Sequence, residues 1–317
     1  MQEHRSVQGS FDLHMHSVYS DGSQSVQTLI TEARERGLSG IAVTDHDSLR
    51  QLSSVRAEAR KMGFPVIAGV EASCIDAETG RKIHILCYGL AATADESGPL
   101  ELLVNETLAR RTANTLWQAW TLERTGIAPC GRKASVADVV EVSRASTGVY
   151  KQHVMQALTG LGYRDGEYQR VYRRLFKNGG IAERDISYPD ALAIVRAARE
   201  QGGVPVLAHP QQMDSWGAIP ALVKAGLMGI EAFHPDNDAV ATEEAFRLAR
   251  QYGILCTGGS DYPPSALGPV SSRRMKPASP LRSCSTKNAC LLRGSKDDSS
   301  NGDCCRFRRG VRAHVPA

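Results

Sequence analysis

Eight side chains able to bind a cation or carry a proton stand near the ends of short apolar runs: His14, His16, Asp21, His46, Glu71, His84, His209 and Asp261. In DLHMHSVYSDG, alternation along an extended strand turns His14 and His16 to one face, where both can grip a single ion. Alone, the pair fits a core or surface role equally well, and the surrounding motifs tip the balance. His46 lies between acids in TDHDS, where Asp47 or Ser48 can cap the following helix, the reading favoured for Asp47. Glu71 closes the apolar GVEAS, where a carboxylate is costly unless paired with a cation or bound to a metal; a salt bridge is the alternative. His84 stands alone in IHILCYGL, so a hydrogen-bonded core histidine stays open for it. His209 ends VLAHP, and Asp261 ends GGSD, whose glycines let the backbone approach a ligand, with a turn or cap as the alternative for Asp261.

Histidine and carboxylate ligands without thiolate suit Mn2+, Zn2+ or Fe2+ and argue against a structural zinc site. Two or three divalent cations, Mn2+ foremost, are expected; such ions clamp a phosphate and lower the pKa of water. No P-loop, GxGxxG or GxSxG elbow competes.

Positioning these residues requires an alternation of strands and helices. FDLHMH, GIAVTDHD, PVIAGVEAS and KIHILCYGL read as strands between amphipathic segments, and the alternation resumes near residue 189 with VPVLAHP, GIEAFHP and GILCTGGSD. Ionisable residues at strand ends fit the open end of a β/α barrel, and the regular part, short of eight units, fits six or seven strands. The expected fold is α/β, a distorted (β/α)7-type barrel with an inserted helical subdomain. Its parts are residues 10–99, the insertion 100–186, the second part 187–270, and a basic low-complexity tail 271–317 expected to be disordered.

The net charge of +4 on 317 residues is uneven: the tail carries 11 Lys and Arg against 3 acids, so the rest is mildly acidic. That balance excludes a basic nucleic-acid-binding globule, and any substrate phosphate must be met locally. The tail reads as a flexible arm, an arm attracting nucleic acid, or out-of-frame translation. Eight cysteines without a CxxC pair do not resemble a disulfide framework. With no long apolar stretch and no apolar middle in the first residues, a cytoplasmic location is expected, with no membrane and no obligate protein partner.

Taken in order, HMHSVYSDG, AVTDHDS, GVEAS, IHILCYGL, VLAHP and GGSD resemble the motifs of the PHP (polymerase and histidinol phosphatase) superfamily over residues 10 to about 261. ARRTAN and YKQHVMQAL in the insertion look most like the subgroup of RNase AM and the nucleoside 3′,5′-bisphosphate phosphatases. The resemblance implies a first metal on His14, His16, Glu71 and Asp261 and a second on Glu71, His84 and His209, with a hydroxide between them as nucleophile. It places a third on Asp21, His46 and a histidine that is Pro263 here, leaving that site short of a ligand. Glu71, His209 and Asp261 are the expected catalytic residues. Arg110, Arg111, His153 and His234 are candidates for substrate contact, with Lys151 where the subgroup has arginine; solvated helix arginines are the alternative for Arg110 and Arg111. The implied activity is hydrolysis of a phosphomonoester, the 3′-phosphate of a nucleoside 3′,5′-bisphosphate, with 5′-to-3′ trimming of short RNA as a further activity. Histidinol phosphate phosphatase and a catalytically weakened binding protein are the rival readings.

Overall fold

The computed structural model describes residues 10–90 and 98–261; Pro263 and the tail lie outside the described residues. The chain runs β1 (Phe11–Asp12), α1 (Val26–Glu35), β2 (Gly40–Val43), α2 (Leu52–Met62), β3 (Val66–Ala68), β4 (Val70–Ile75) and β5 (Lys82–Tyr88). Four helices follow, α3 (Pro99–Thr125), α4 (Val136–Val142), α5 (Lys151–Thr159) and α6 (Gly166–Phe176). The remainder is α7 (Ala191–Glu200), β6 (Val204–Leu207), α8 (Pro210–Met213), a 3-10 turn (Trp216–Ala218), α9 (Ile219–Ala225), β7 (Gly229–Phe233), α10 (Ala239–Tyr252) and β8 (Leu255–Gly258).

The strands form two sheets, a parallel one ordered β1-β2-β3 and a mixed one ordered β4-β5-β6-β7-β8. In the second, β5 runs antiparallel to both β4 and β6, while β6, β7 and β8 are parallel. The expected α/β class holds, whereas in place of a distorted (β/α)7-type barrel the described residues form eight strands in two sheets with no closed barrel. Two narrow seams join them. At one, the Leu13 N–H donates to the Gly258 carbonyl over 3.0 Å; at the other, His46 bridges to Glu71. Both seams fall beside a histidine or carboxylate of the candidate site.

Local chemistry sets the helix ends. Ser25, Asp190 and Asp238 cap α1, α7 and α10 with their side-chain oxygens, and left-handed Gly63, Gly126 and Gly253 end α2, α3 and α10. The main core packs Leu29, Ile30, Val55, Ile83, Ile85, Ile194 and Ile230 between helices and sheets. A separate core of Leu122, Val139, Met155, Leu158, Leu175 and Phe176 holds α3 to α6 together. Removing such apolar surface from water contributes about 25 cal/mol per Å2. Among the described residues no helix is long and apolar enough to cross a membrane.

Candidate metal centre

The strand ends converge as their alternation requires. His14 and His16 leave β1 on the same side, with their Nε2 atoms 3.2 Å apart. Glu71, in β4, brings Oε2 to 3.2 Å from His14 Nε2 and 3.0 Å from His16 Nε2. Asp261, after β8, brings Oδ1 to 3.6 Å and 3.3 Å from the same two nitrogens. The other Glu71 oxygen, Oε1, lies 2.7 Å from His84 Nδ1 and 2.8 Å from His209 Nε2. One carboxylate thus faces two histidine pairs. Beside them, His16, Asp21 and His46 form a third group whose ligand atoms lie within 4.8 Å of one another.

The electrostatics favour positive charge at the cluster. Burial opposes ionisation of Glu71, but His46, His14 and His84 outweigh it and hold its carboxyl well below the usual range. Burial likewise opposes charging of His14, yet Glu71, Glu231 and Asp261 raise its proton affinity. Burial dominates at His46, pushing it down to about 3, and lowers His209 as well. Glu71 Oε2 is buried, ringed by imidazole nitrogens, and accepts no hydrogen bond of normal geometry. Imidazole nitrogens around buried carboxylates are the donor set of a divalent ion, which replaces the protons of His14 and His16, so the residues fit one.

Across a cavity of about 590 Å3, Lys82, Arg111, Lys151, Arg164 and Lys177 face the cluster, with Tyr163, Tyr172 and Tyr188 among them. Burial lowers Lys151 to about 8. Arg111 lines this cavity, with its guanidinium 2.7 Å from Asp47 Oδ2 and 2.8 Å from Ser73 Oγ. Arg110, one residue earlier, points out of the cavity to Glu106 and the Ser187 carbonyl. His153 does not line the cavity; its Nδ1 accepts the Tyr150 N–H at the start of α5. His234 does line it: its Nδ1 accepts the Asp236 N–H, so the proton sits on Nε2, which lies 3.2 Å from Asp261 Oδ2.

The sequence profile of the PHP domain matches residues 12–177, more than half of the chain. The chain belongs to the PHP domain family. It is 45% identical to the phosphoribosyl 1,2-cyclic phosphate 1,2-diphosphodiesterase of Eggerthella lenta, over 79% of this chain and 93% of that protein. The Haemophilus influenzae 5′-3′ exoribonuclease is 29% identical, over 80% and 89% of the two chains. The 3′,5′-nucleoside bisphosphate phosphatase of Chromobacterium violaceum is 28% identical, over 80% and 87%. In fold, the chain is similar to a metal-dependent phosphoesterase from Bifidobacterium adolescentis, with a TM-score of 0.68, 23% identity, and 80% and 87% coverage. This PHP protein is a metal-dependent phosphoesterase, and the narrower likeness to bisphosphate phosphatases and exoribonucleases also holds.

Several residues that shape the PHP site escaped sequence reasoning. Asp47 does not cap α2, whose N-cap is Gln51; it turns inward at φ +50° and accepts from the Ser73 N–H over 2.7 Å and from Arg111. Asp45 accepts from the Ser17 N–H and the Ser20 hydroxyl, each over 2.7 Å, holding the loop that carries Asp21. Tyr150 donates its hydroxyl to the His46 carbonyl over 2.8 Å. Glu231 is fully buried beside His14 and the His209 backbone. The available signal for it was an acid in the middle of the apolar run GIEAF.

Proposed function

We propose that this PHP phosphoesterase hydrolyses a ribose phosphate ester, with phosphoribosyl 1,2-cyclic phosphate as its substrate. The observation that carries the reading is the placement of the histidine and carboxylate cluster opposite a cationic wall, across a cavity large enough for a compact sugar with two phosphate groups. The relative that acts on such a compound is 45% identical, against 28% and 29% for those acting on nucleotides and RNA.

In this reading His14, His16, Glu71 and Asp261 would hold one cation and Glu71, His84 and His209 a second, leaving Asp21 and His46 for a third. Mn2+ is the first choice. Bound cations supply Lewis acidity and lower the pKa of water at the scissile P–O bond. The chain's own residues do the rest. His234 donates its Nε2 proton toward Asp261 and fixes that carboxylate, and Arg111 and Lys151 face the substrate's anionic groups from the helical wall. Hydrolysis adds water across one P–O ester bond, leaving an alcohol and a phosphate with one ester fewer. The helical segment of residues 100–186 acts as a cap that supplies all of this cationic wall except Lys82, which comes from β5.

A second reading, a nucleoside 3′,5′-bisphosphate or the end of a short RNA, is favoured by Tyr163 and Tyr172, which line the cavity within reach of a base. Comparing kcat/KM in Mn2+ for phosphoribosyl 1,2-cyclic phosphate, a nucleoside 3′,5′-bisphosphate and histidinol phosphate decides between them. A preference of about tenfold or more for the cyclic compound is expected; a reversed order overturns the assignment.

A further inference from the structure

We propose that Glu231 is a positioning residue that presets the metal centre, fixing the ring of one ligand and the backbone of another with a single carboxylate. The proposal rests on reading the histidine and carboxylate cluster as a metal centre. Glu231 lies in β7 with no solvent exposure, between the apolar neighbours Ile230 and Ala232. A carboxylate in that position is costly unless its oxygens are used.

Both oxygens are used. Oε1 and Oε2 lie 3.2 Å and 3.3 Å from His14 Nδ1. A carboxylate in an ion-binding site accepts and does not donate, so Nδ1 carries the hydrogen and the lone pair is left on His14 Nε2. That nitrogen is the one aimed at Glu71 Oε2, His16 Nε2 and Asp261 Oδ1. Oε2 also accepts the backbone N–H of His209 over 2.8 Å. His209 sits at φ +25°, ψ 62°, outside the ordinary regions for a residue with a side chain, and persists there only if its surroundings hold it. The Glu231 bond is one such restraint, and the conformation it holds turns His209 Nε2 toward Glu71 Oε1.

Glu231 therefore touches one histidine from each of two ligand groups that share Glu71, and it also stands with His14 and His234 in a group whose ligand atoms lie within 4.8 Å of one another. Carboxylates behind a metal-bound imidazole set its tautomer, and their loss typically weakens metal binding about 10- to 100-fold. Glu231→Gln preserves shape and one acceptor oxygen but confronts either the His14 ring or the His209 N–H with an amide NH2. In His14 the competing tautomer places the hydrogen on Nε2 and removes the ligand lone pair.

Two measurements on the full chain test this. In wild type loaded with diamagnetic Zn2+, long-range 1H–15N spectra of the imidazoles should show His14 carrying its hydrogen on Nδ1 and none on Nε2; a hydrogen on Nε2 with a bare Nδ1 would overturn the proposal, whether or not any variant folds. In the second, Mn2+ is titrated into wild type and Glu231→Gln, with circular dichroism as the control for folding. Affinity in the variant should fall about 10- to 100-fold at the two tightest sites. Wild-type uptake with an unchanged affinity in Glu231→Gln overturns the positioning role and leaves the metal centre standing. A wild type that takes up no Mn2+ overturns the metal reading, and this proposal with it.

Discussion

Replacing Arg111 tests whether the helical wall is bolted to the site or only rests against it. Asp47 has no solvent exposure, and two N–H groups of Arg111 reach its Oδ2 over 3.1 Å and 2.7 Å. Arg111→Met keeps much of the stem packing near Tyr150 and Tyr188 but strands the buried carboxylate. Breaking a buried pair from one side costs about 3–5 kcal/mol. Here the arginine side chain keeps 22% exposure and Asp47 Oδ1 retains the Ser73 N–H, which sets the expected cost near the lower end, about 3 kcal/mol. Asp47→Asn removes the charge and should make the Arg111 substitution cheaper, giving a coupling of about 2 kcal/mol in a double-mutant cycle. Urea unfolding followed by circular dichroism reads all four chains. Arg110→Ala is the control, since its partners are exposed, and should change stability by no more than about 0.5 kcal/mol. If Arg111→Met costs less than about 1 kcal/mol, or the two substitutions simply add, the pair does not hold the wall and the reasoning is wrong.

Glu71→Gln should lower kcat/KM and bound Mn2+ by more than the roughly 10- to 100-fold typical of outer-shell changes, because it removes the charge shared by both histidine pairs; wild-type metal content in this variant would refute the shared role. Lys151 loses its proton near pH 8, below the ordinary lysine range, so it is charged below that pH and neutral above it. KM for a doubly phosphorylated sugar should therefore rise between pH 7 and 9, and Lys151→Met should flatten that rise; an unchanged profile would take Lys151 out of the site. Gly259→Ala would place a Cβ 2.2 Å from His14 Cβ, forcing a backbone shift that should cost about 1–3 kcal/mol and weaken metal binding; thermal unfolding and Mn2+ titration measure both.

Much of the centre was legible because ionisable residues at strand ends interrupt apolar runs, and all eight candidate side chains converge in one cluster, Asp21 joining it through His16. The sheet arrangement was not legible. The apolar runs at β4 and β5 look like those of a parallel unit, and nothing in KIHILCY announces that β5 reverses against both neighbours. Arg110 and Arg111 were inseparable as text, since the phase of α3 against the cavity is set by its packing. Asp47 resembled a cap because acids before helices usually are caps, whereas its left-handed backbone depends on contacts with Ser73 and Arg111, distant in sequence.

The seam between Leu13 and Gly258 also governs when the centre can come into being. His14 and Asp261 stand 247 positions apart, and Gly259 packs directly on His14. A ribosome adding about 5–20 residues per second takes roughly 12 to 50 s to cover that span. During that interval the nascent chain displays His14 and His16 without Asp261, so a site that needs all three side chains can be completed only at the end of synthesis.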